Sequence, residues 1–443
     1  MLDSIIEVLK TKNELVVAKT LIDTFAKYAS NLMEFNTIAK AYCEIKKYPD
    51  SIKWAEKALV ASKTNEEKYA CRANIAKVSN HANDPEKALF HLGINKVSKP
   101  NDYEIALEQS FSLFLLGRNK ESEVILREMA TRNDIPADIM SRVKFNLGTY
   151  DLYNNEFQKG LYGFLIEGKN LGIWKKQNLP FKFWEGGIQP GKTLIILAEG
   201  GIGDEIINIR FMDIIKSFDM TPIWYTTRQD LYSIFKRNGY NTITNLQDAP
   251  KDSLWTYGMS LPVYLDLMPK DLWKGQYLVP SEEYKEKFNW VKSDKIKVGI
   301  RWAGNIEYEH DLHRSVPLSK IYDLLKDRGY ELYSLQKDDG IEQLKDFPEI
   351  KDMSAYLDSY EDTMAVMDHL DFIITSCTSV LHMAAAMDKK VYALVPTTAY
   401  YTWCSSNEYH SIWYSNNLTL FRQHSLKNWE DPINDLRKTL DLL

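Results

Sequence analysis

Three stretches of the sequence carry residues that could act on one ligand. The run Glu199-Gly200-Gly201-Ile202-Gly203-Asp204-Glu205 follows the apolar stretch 193–198 and precedes an amphipathic one, so it reads as a strand-to-helix turn. Glycines there permit a tight turn and close ligand approach. Asp204 at the start of a helix inside a cleft is expected to stay ionised and to take a proton from an acceptor hydroxyl. The same position also suits a plain helix cap.

The second stretch, 297–318, runs from a strand into a polar loop with Arg301, Asn305, His310, Asp311, His313 and Arg314. Cations crowded after a strand suit a diphosphate, because guanidinium forks match phosphate oxygens. His310 and His313 have HxxH spacing but lack a third and fourth ligand, so no metal is expected. Nearby, Gln336 and Lys337 end another strand as donor contacts or as turn residues. In the third stretch an apolar strand delivers Ser376, Cys377, Thr378 and Ser379 to the start of a helix carrying His382. Free amides and hydroxyls there form an anion site, and Ser/Thr capping is compatible with it. A five-residue gap between Cys377 and His382 does not secure a thiol and base that face each other.

One motif is a decoy. Gly186, Gly191, Lys192 and Thr193 satisfy the phosphate-loop pattern, but the strand follows the lysine instead of preceding the loop, so nucleotide hydrolysis is not expected.

The elements that must position these residues differ between two halves. Residues 1–170 hold few glycines and prolines and show helical periodicity. Ala39, Ala76, Ser110 and Gly148 fall in register, and twelve residues on come Ser51, Ala88, Ser122 and Gly160, spaced 37, 34 and 38 residues apart. That is near the 34-residue helix-turn-helix period, in which small side chains let paired helices approach. Such an array offers a partner surface. A Trp-, Gly- and Pro-rich connector, 171–192, is expected next. Short β-rich runs then alternate with helical ones, the pattern of parallel sheets with crossover helices. Two lobes, 193–290 and 291–443, are expected to face a cleft, with Asp204 looking across it toward the cations between 301 and 337.

Composition bounds the function classes. The 443 residues exceed one small domain, and 55 Lys plus Arg against 61 Asp plus Glu give a net charge of −6. Nucleic acid is therefore not an expected partner. No apolar run reaches the ~20 residues of a membrane helix. The opening 25 residues read as an amphipathic helix and not as a signal peptide, and four scattered cysteines suggest reduced thiols, so the cytoplasm is expected.

In these motifs, EGGIGDEIINIRF, GIRWAGN with the following RSVPL, YSLQKD, DTMAVMDHLDFIIT, TSVLHMAAAMDKKVYALVP and WYSNNLTLFRQ, the sequence resembles proteins that join tetratricopeptide repeats to a heptosyltransferase-like (glycosyltransferase family 9-like) domain. The resemblance implies helical repeats followed by a GT-B fold of two Rossmann-like lobes. The first lobe would take the acceptor and the second a nucleotide-sugar. It further implies inverting, metal-independent transfer with no cofactor beyond the co-substrate, to a protein, peptide or glycan acceptor that the repeats could present. By position, Asp204 matches the proposed general base after Gly200, Gly201 and Gly203. Lys337 lies near where the family places a cation on the donor diphosphate, and Thr378, Ser379 and His382 match the donor-phosphate helix start. Asn305, His310, Asp311 and Arg314 match the second-lobe loop, and Trp403, Arg422 and Gln423 match late motifs. Cys377 stands where the family usually has Asp, so the other reading is a catalytically degenerate interaction or scaffold protein.

Overall fold

The computed structural model describes residues 9, 14–172, 177–306, 308, 311–405 and 409–442. Most of the amphipathic helix expected at 1–25 up to residue 13 lies outside them, as does His310. The chain forms two compact units, Met1–Val143 and Lys144–Leu443.

The first unit is a succession of helices, Leu15–Ala26, Leu32–Glu44, Tyr48–Ala61, Asn65–His81, Pro85–Ser98, Tyr103–Leu115 and Asn119–Ala130. Local chemistry sets their ends. Thr64 and Glu67 form a reciprocal capping box, Asn31, Asp84 and Asp102 accept from first-turn amides, and prolines stand in the first turn of two helices. The repeat register is physical. Ser51 Oγ donates to the Ala39 carbonyl at 2.6 Å and Ser122 Oγ to the Ser110 carbonyl at 2.6 Å, while Ala76 and Ala88 share one buried cluster. The turn between the two helices of each pair also holds a left-handed residue, namely Lys46, Asn83, Gly117 and, in the second unit, Asn155, whereas among the described residues the turns between pairs hold none. The amide that follows each of them reaches back to the carbonyl of Tyr42, Ser79, Leu113 or Asp151 at 2.8–2.9 Å, closing the helix end.

The break between units falls inside the helix Ala137–Tyr153, ahead of the boundary expected at 170. From Lys144 onward the last helix pair belongs to the second unit, where Leu152, Phe157, Leu161 and Leu165 are buried. Gly148 and Gly160 cross so closely that a Cβ on either would lie 2.8 Å from the other's carbonyl oxygen. Gln158 donates to the Pro262 carbonyl at 3.1 Å, and Phe157 packs on Trp413.

The second unit carries two parallel sheets. The first contains β1 (Lys182–Phe183), β2 (Thr193–Leu197), β3 (Thr221–Tyr225), β4 (Thr242–Ile243) and β5 (Leu254–Tyr257), in the order β1-β5-β2-β3-β4. Part of the expected connector is thus a strand: Lys182 and Phe183 pair with Leu254 and Trp255. The second contains β6 (Lys297–Arg301), β7 (Glu331–Ser334), β8 (Lys351–Asp352), β9 (Phe372–Ser376), β10 (Val391–Val395) and β11 (Leu418–Arg422), in the order β11-β10-β9-β6-β7-β8. That is the Rossmann order, in which the winding direction reverses between β6 and β9. In the first sheet it reverses between β2 and β5. Helices cover the central strands, which are buried on both faces, so their sequences are continuous apolar runs. Together with the helical periodicity of the first unit, this is the expected fold class of helical repeats followed by two Rossmann-like lobes. One apolar cluster runs from Leu194 and Ile206 to Val380, Val391 and Leu420, joining elements of both sheets.

Candidate active site at two switch points

Ligands of doubly wound sheets bind beyond the carboxyl ends of strands, where the winding reverses. Each such point in this chain carries polar groups of a different kind.

At the first, the chain leaves β2, turns at Gly200 (φ +74°) and enters the helix Ile202–Ile209. Gly200 is required here, since a Cβ would lie 2.5 Å from Asp204 Oδ2. Asp204 caps the helix, its Oδ2 accepting from Gly201 N at 2.7 Å, and it also hydrogen-bonds the Tyr400 side chain. Burial, reinforced by the charge of Glu199, pushes its pKa up to about 6, while Gly201, Tyr400 and Arg228 act to lower it. Loss of water thus outweighs the favourable helix terminus, and at neutral pH the carboxyl is still mostly ionised. A carboxyl tuned into this range is suited to accept a proton near neutrality.

Neighbouring charges are matched within the protein. Glu205, fully buried, pairs with Arg228 and accepts from Trp224 Nε1 at 3.1 Å. Arg228 also donates to the Gly200 carbonyl at 2.9 Å. Glu199 pairs with Lys169 at 2.7 Å.

Gly203 serves a different purpose from Gly200. A Cβ there would come within 2.5 Å of His382 Cδ2, so this glycine lets the helix Ile202–Ile209 close on the helix Ser379–Ala386 of the other lobe. His382 itself is a packing residue. Its Nδ1 lies 2.8 Å from the Tyr414 hydroxyl, its ring stacks on Trp403 at 4.9 Å, and burial, with Arg210 nearby, pushes its pKa down to about 3. It is neutral and supplies no charge to a phosphate.

At the second switch point, β6 ends in Arg301 and β9 in Ser376, and Thr378 opens the helix Ser379–Ala386 without a side-chain cap bond. Arg301 Nη1 donates to the Leu335 carbonyl at 2.9 Å, but its Nε is buried without a partner, as are Ser376 Oγ and Thr378 Oγ1. Further along the same edge, Gln423 Nε2 and Thr398 Oγ1 are likewise unpartnered. Ser379 Oγ lies 3.0 Å from the Tyr360 hydroxyl.

Other expected residues hold the loop in place. Arg314 donates to Asp311 at 2.8 Å and to the Cys377 carbonyl at 3.2 Å, and covers the Tyr308 ring at 4.6 Å. Asp311 also accepts from Ser315 Oγ at 2.9 Å, and Asn305 accepts from the Tyr308 amide at 3.1 Å through its carbonyl. Gln336 is wholly engaged: Oε1 accepts from Trp302 and Ala303 amides, and Nε2 donates to the Ala303 and Asp339 carbonyls. With no hydrogen-bonding capacity left, it shapes the loop instead of meeting a donor. Lys337 donates to the Leu357 carbonyl at 2.5 Å and lies 3.6 Å from Asp358. Cys377 has its Sγ 3.7 Å from the Leu394 carbonyl, and burial pushes its pKa up to about 12, so it is a neutral thiol. Gln423 Oε1 accepts from Thr397 Oγ1 at 3.0 Å. Among the described residues no group of three His, Cys, Asp or Glu could hold a metal.

None of the 301–337 cations is among the largest influences on Asp204. The charges acting most strongly on it are those of Glu199 and Arg228, and the link to the second lobe passes through Tyr400, whose surroundings include Tyr308 beneath Arg314. The sequence reading missed both tyrosines and Lys169. Tyr400 follows β10 on a carboxyl-edge loop, the rule by which it could have been found; Lys169 lies in a segment read as repeat.

No family model matches the chain, and no curated protein does. Among solved structures it is similar to E. coli heptosyltransferase WaaC with ADP-2-deoxy-2-fluoro heptose, at 10% identity and a TM-score of 0.39, covering 56% of this chain and 99% of that one. It is similar to the glycosyl transferase family 9 protein of Veillonella parvula DSM 2008, at 10% identity and a TM-score of 0.34, over 50% of this chain and 86% of that one. A mutant Thermobaculum terrenum O-GlcNAc transferase matches at 11% identity and a TM-score of 0.34, over 84% of each chain. No helix among the described residues is long and apolar enough to cross a membrane.

Proposed function

We propose that the chain is a glycosyltransferase that moves a sugar from a nucleotide-sugar to an acceptor hydroxyl with inversion. The observation that carries this reading is the pairing, within one unit, of a carboxyl tuned to about pH 6 with a second switch point whose buried donors lack partners. Arg301 Nε, Ser376 Oγ and Thr378 Oγ1, with the amides opening the helix Ser379–Ala386, suit the oxygens of a diphosphate. Asp204 takes the proton as the acceptor O–H bond breaks. The acceptor oxygen then bonds the anomeric carbon, and the bond from that carbon to the diphosphate oxygen breaks, the nucleoside diphosphate leaving with the electron pair. Charge developing on the leaving group would be met by the fixed donors, which gives a route that needs no metal. The helical repeats would present the acceptor.

The test is donor turnover with UDP-, GDP- and ADP-sugars in buffer containing EDTA. Release of nucleoside diphosphate with at least one donor is expected, falling by about two or more decades in Asp204→Asn. Nucleotide binding without turnover in the wild type, or equal turnover in both proteins, would favour the interaction-protein reading.

A further inference from the structure

Behind the turn that carries Asp204 sits a buried ion pair with no part in the proton transfer just described. Lys169 lies in Gly168–Asn170, directly after the π-helical turn Tyr162–Glu167, and its side chain is 8% exposed. Its Nζ is 2.7 Å from Glu199 Oε1 and 2.8 Å from Ser260 Oγ, and it lies 4.2 Å from the centre of the Tyr257 ring. Glu199 Oε1 also accepts from Met259 N at 3.2 Å, while Oε2 is buried with no partner.

A buried pair of this kind is a costly way to add stability, because desolvation of both ions offsets most of their attraction. A pair of well-packed apolar residues would hold the same place. Burial pushes the Glu199 carboxyl up and the Lys169 ammonium down, and their mutual attraction works against both shifts. With Oε2 unpartnered, no hydrogen bond on that side quenches the carboxylate, and a bare charge in a dry setting acts on neighbours over several ångströms. Asp204 is five residues further on in the same turn.

The geometry points to Lys169 and Glu199 as positioning residues for Asp204: the helical segment that ends at 170 supplies the lysine whose charge opposes the neutralising effect of burial on Glu199, and Glu199 sets how firmly the neighbouring base holds a proton. The inference rests on the reading of Asp204 as the base. Glu199 shares its turn, Arg228 comes from the loop after β3, and Tyr400 and Tyr401 come from the loop after β10. Of these, Glu199 is the one that strengthens proton binding by its charge, and Arg228 is already committed to Glu205.

Carboxyl carbon-13 NMR on the full chain reads this without requiring turnover, with the Asp204 resonance assigned by its loss in Asp204→Asn. Glu199→Gln is expected to weaken proton binding at Asp204 about tenfold, moving its midpoint down by roughly one pH unit. The double variant Glu199→Gln with Lys169→Met leaves neither charge buried alone, guards against misfolding, and should move the midpoint in the same direction. Where donor turnover is measurable, its acidic limb should shift with the resonance. An unmoved Asp204 midpoint in both folded variants would overturn the inference, even if both lost stability. A wild type that turns over no donor while the midpoint still shifts would instead overturn the proposed function and leave the pair's role standing.

Discussion

At the first switch point buried charges find partners inside the protein: Lys169 meets Glu199, Arg228 meets Glu205, and Asp204 is held by Gly201 and Tyr400. At the second, Arg301 Nε, Ser376 Oγ, Thr378 Oγ1 and Gln423 Nε2 are buried and unpartnered. A buried polar group left without a partner costs about 1–3 kcal/mol, so the second edge is less stable alone than it would be with an oxygen-rich ligand. The contrast teaches a division of labour. Around Asp204 the charged side chains are paired within the fold, with Glu199 Oε2 the exception, whereas the second edge keeps several hydrogen-bond donors open.

The largest effects would separate the two sides. Asp204→Asn, which should abolish about two decades of turnover, is expected to leave nucleotide affinity within about twofold by calorimetry. If affinity fell in step with turnover, the sides would not be independent. The contact between them can be broken at Gly203: Gly203→Ala drives a methyl into His382 and should cost about 1–3 kcal/mol in denaturant unfolding. Part of that loss should return in the double variant with His382→Ala, since the added methyl then has space. Thr378→Val probes the second edge. It removes a hydroxyl that has no partner, so stability should hold or rise, while nucleotide affinity falls about tenfold. An equal loss of stability would mean that the hydroxyl serves the fold.

The smallest effect is the pH response around Asp204. Asp204 must be unprotonated to act as base, so turnover should rise with pH through about 6 and then level. Its folded pKa lies above the ordinary 3.8, so between those values the folded state binds more protons than the unfolded one. Its contribution to stability therefore falls as pH rises across that window, opposite to activity. Comparison of wild type with Asp204→Asn across pH 4–7 isolates this term, and parallel stability curves would refute it.

Some of this was legible in the chain itself. The in-register small residues marked true helix crossings, because a crossing distance is fixed by side-chain size and recurs with the repeat: Ser51 meets Ala39 and Ser122 meets Ser110. Continuous apolar runs revealed buried parallel strands, and the glycine turn revealed where Asp204 would stand, since both follow from local rules. Only the tertiary structure decided what each polar side chain does. Gln336 and His382 have residue types that suit a ligand, yet folding consumes one in four hydrogen bonds and seals the other between Trp403 and Tyr414. Lys169 meets Glu199 thirty residues away. Proton affinity and free hydrogen-bonding capacity depend on which distant groups exclude water and which supply partners, and residue type and spacing do not encode that.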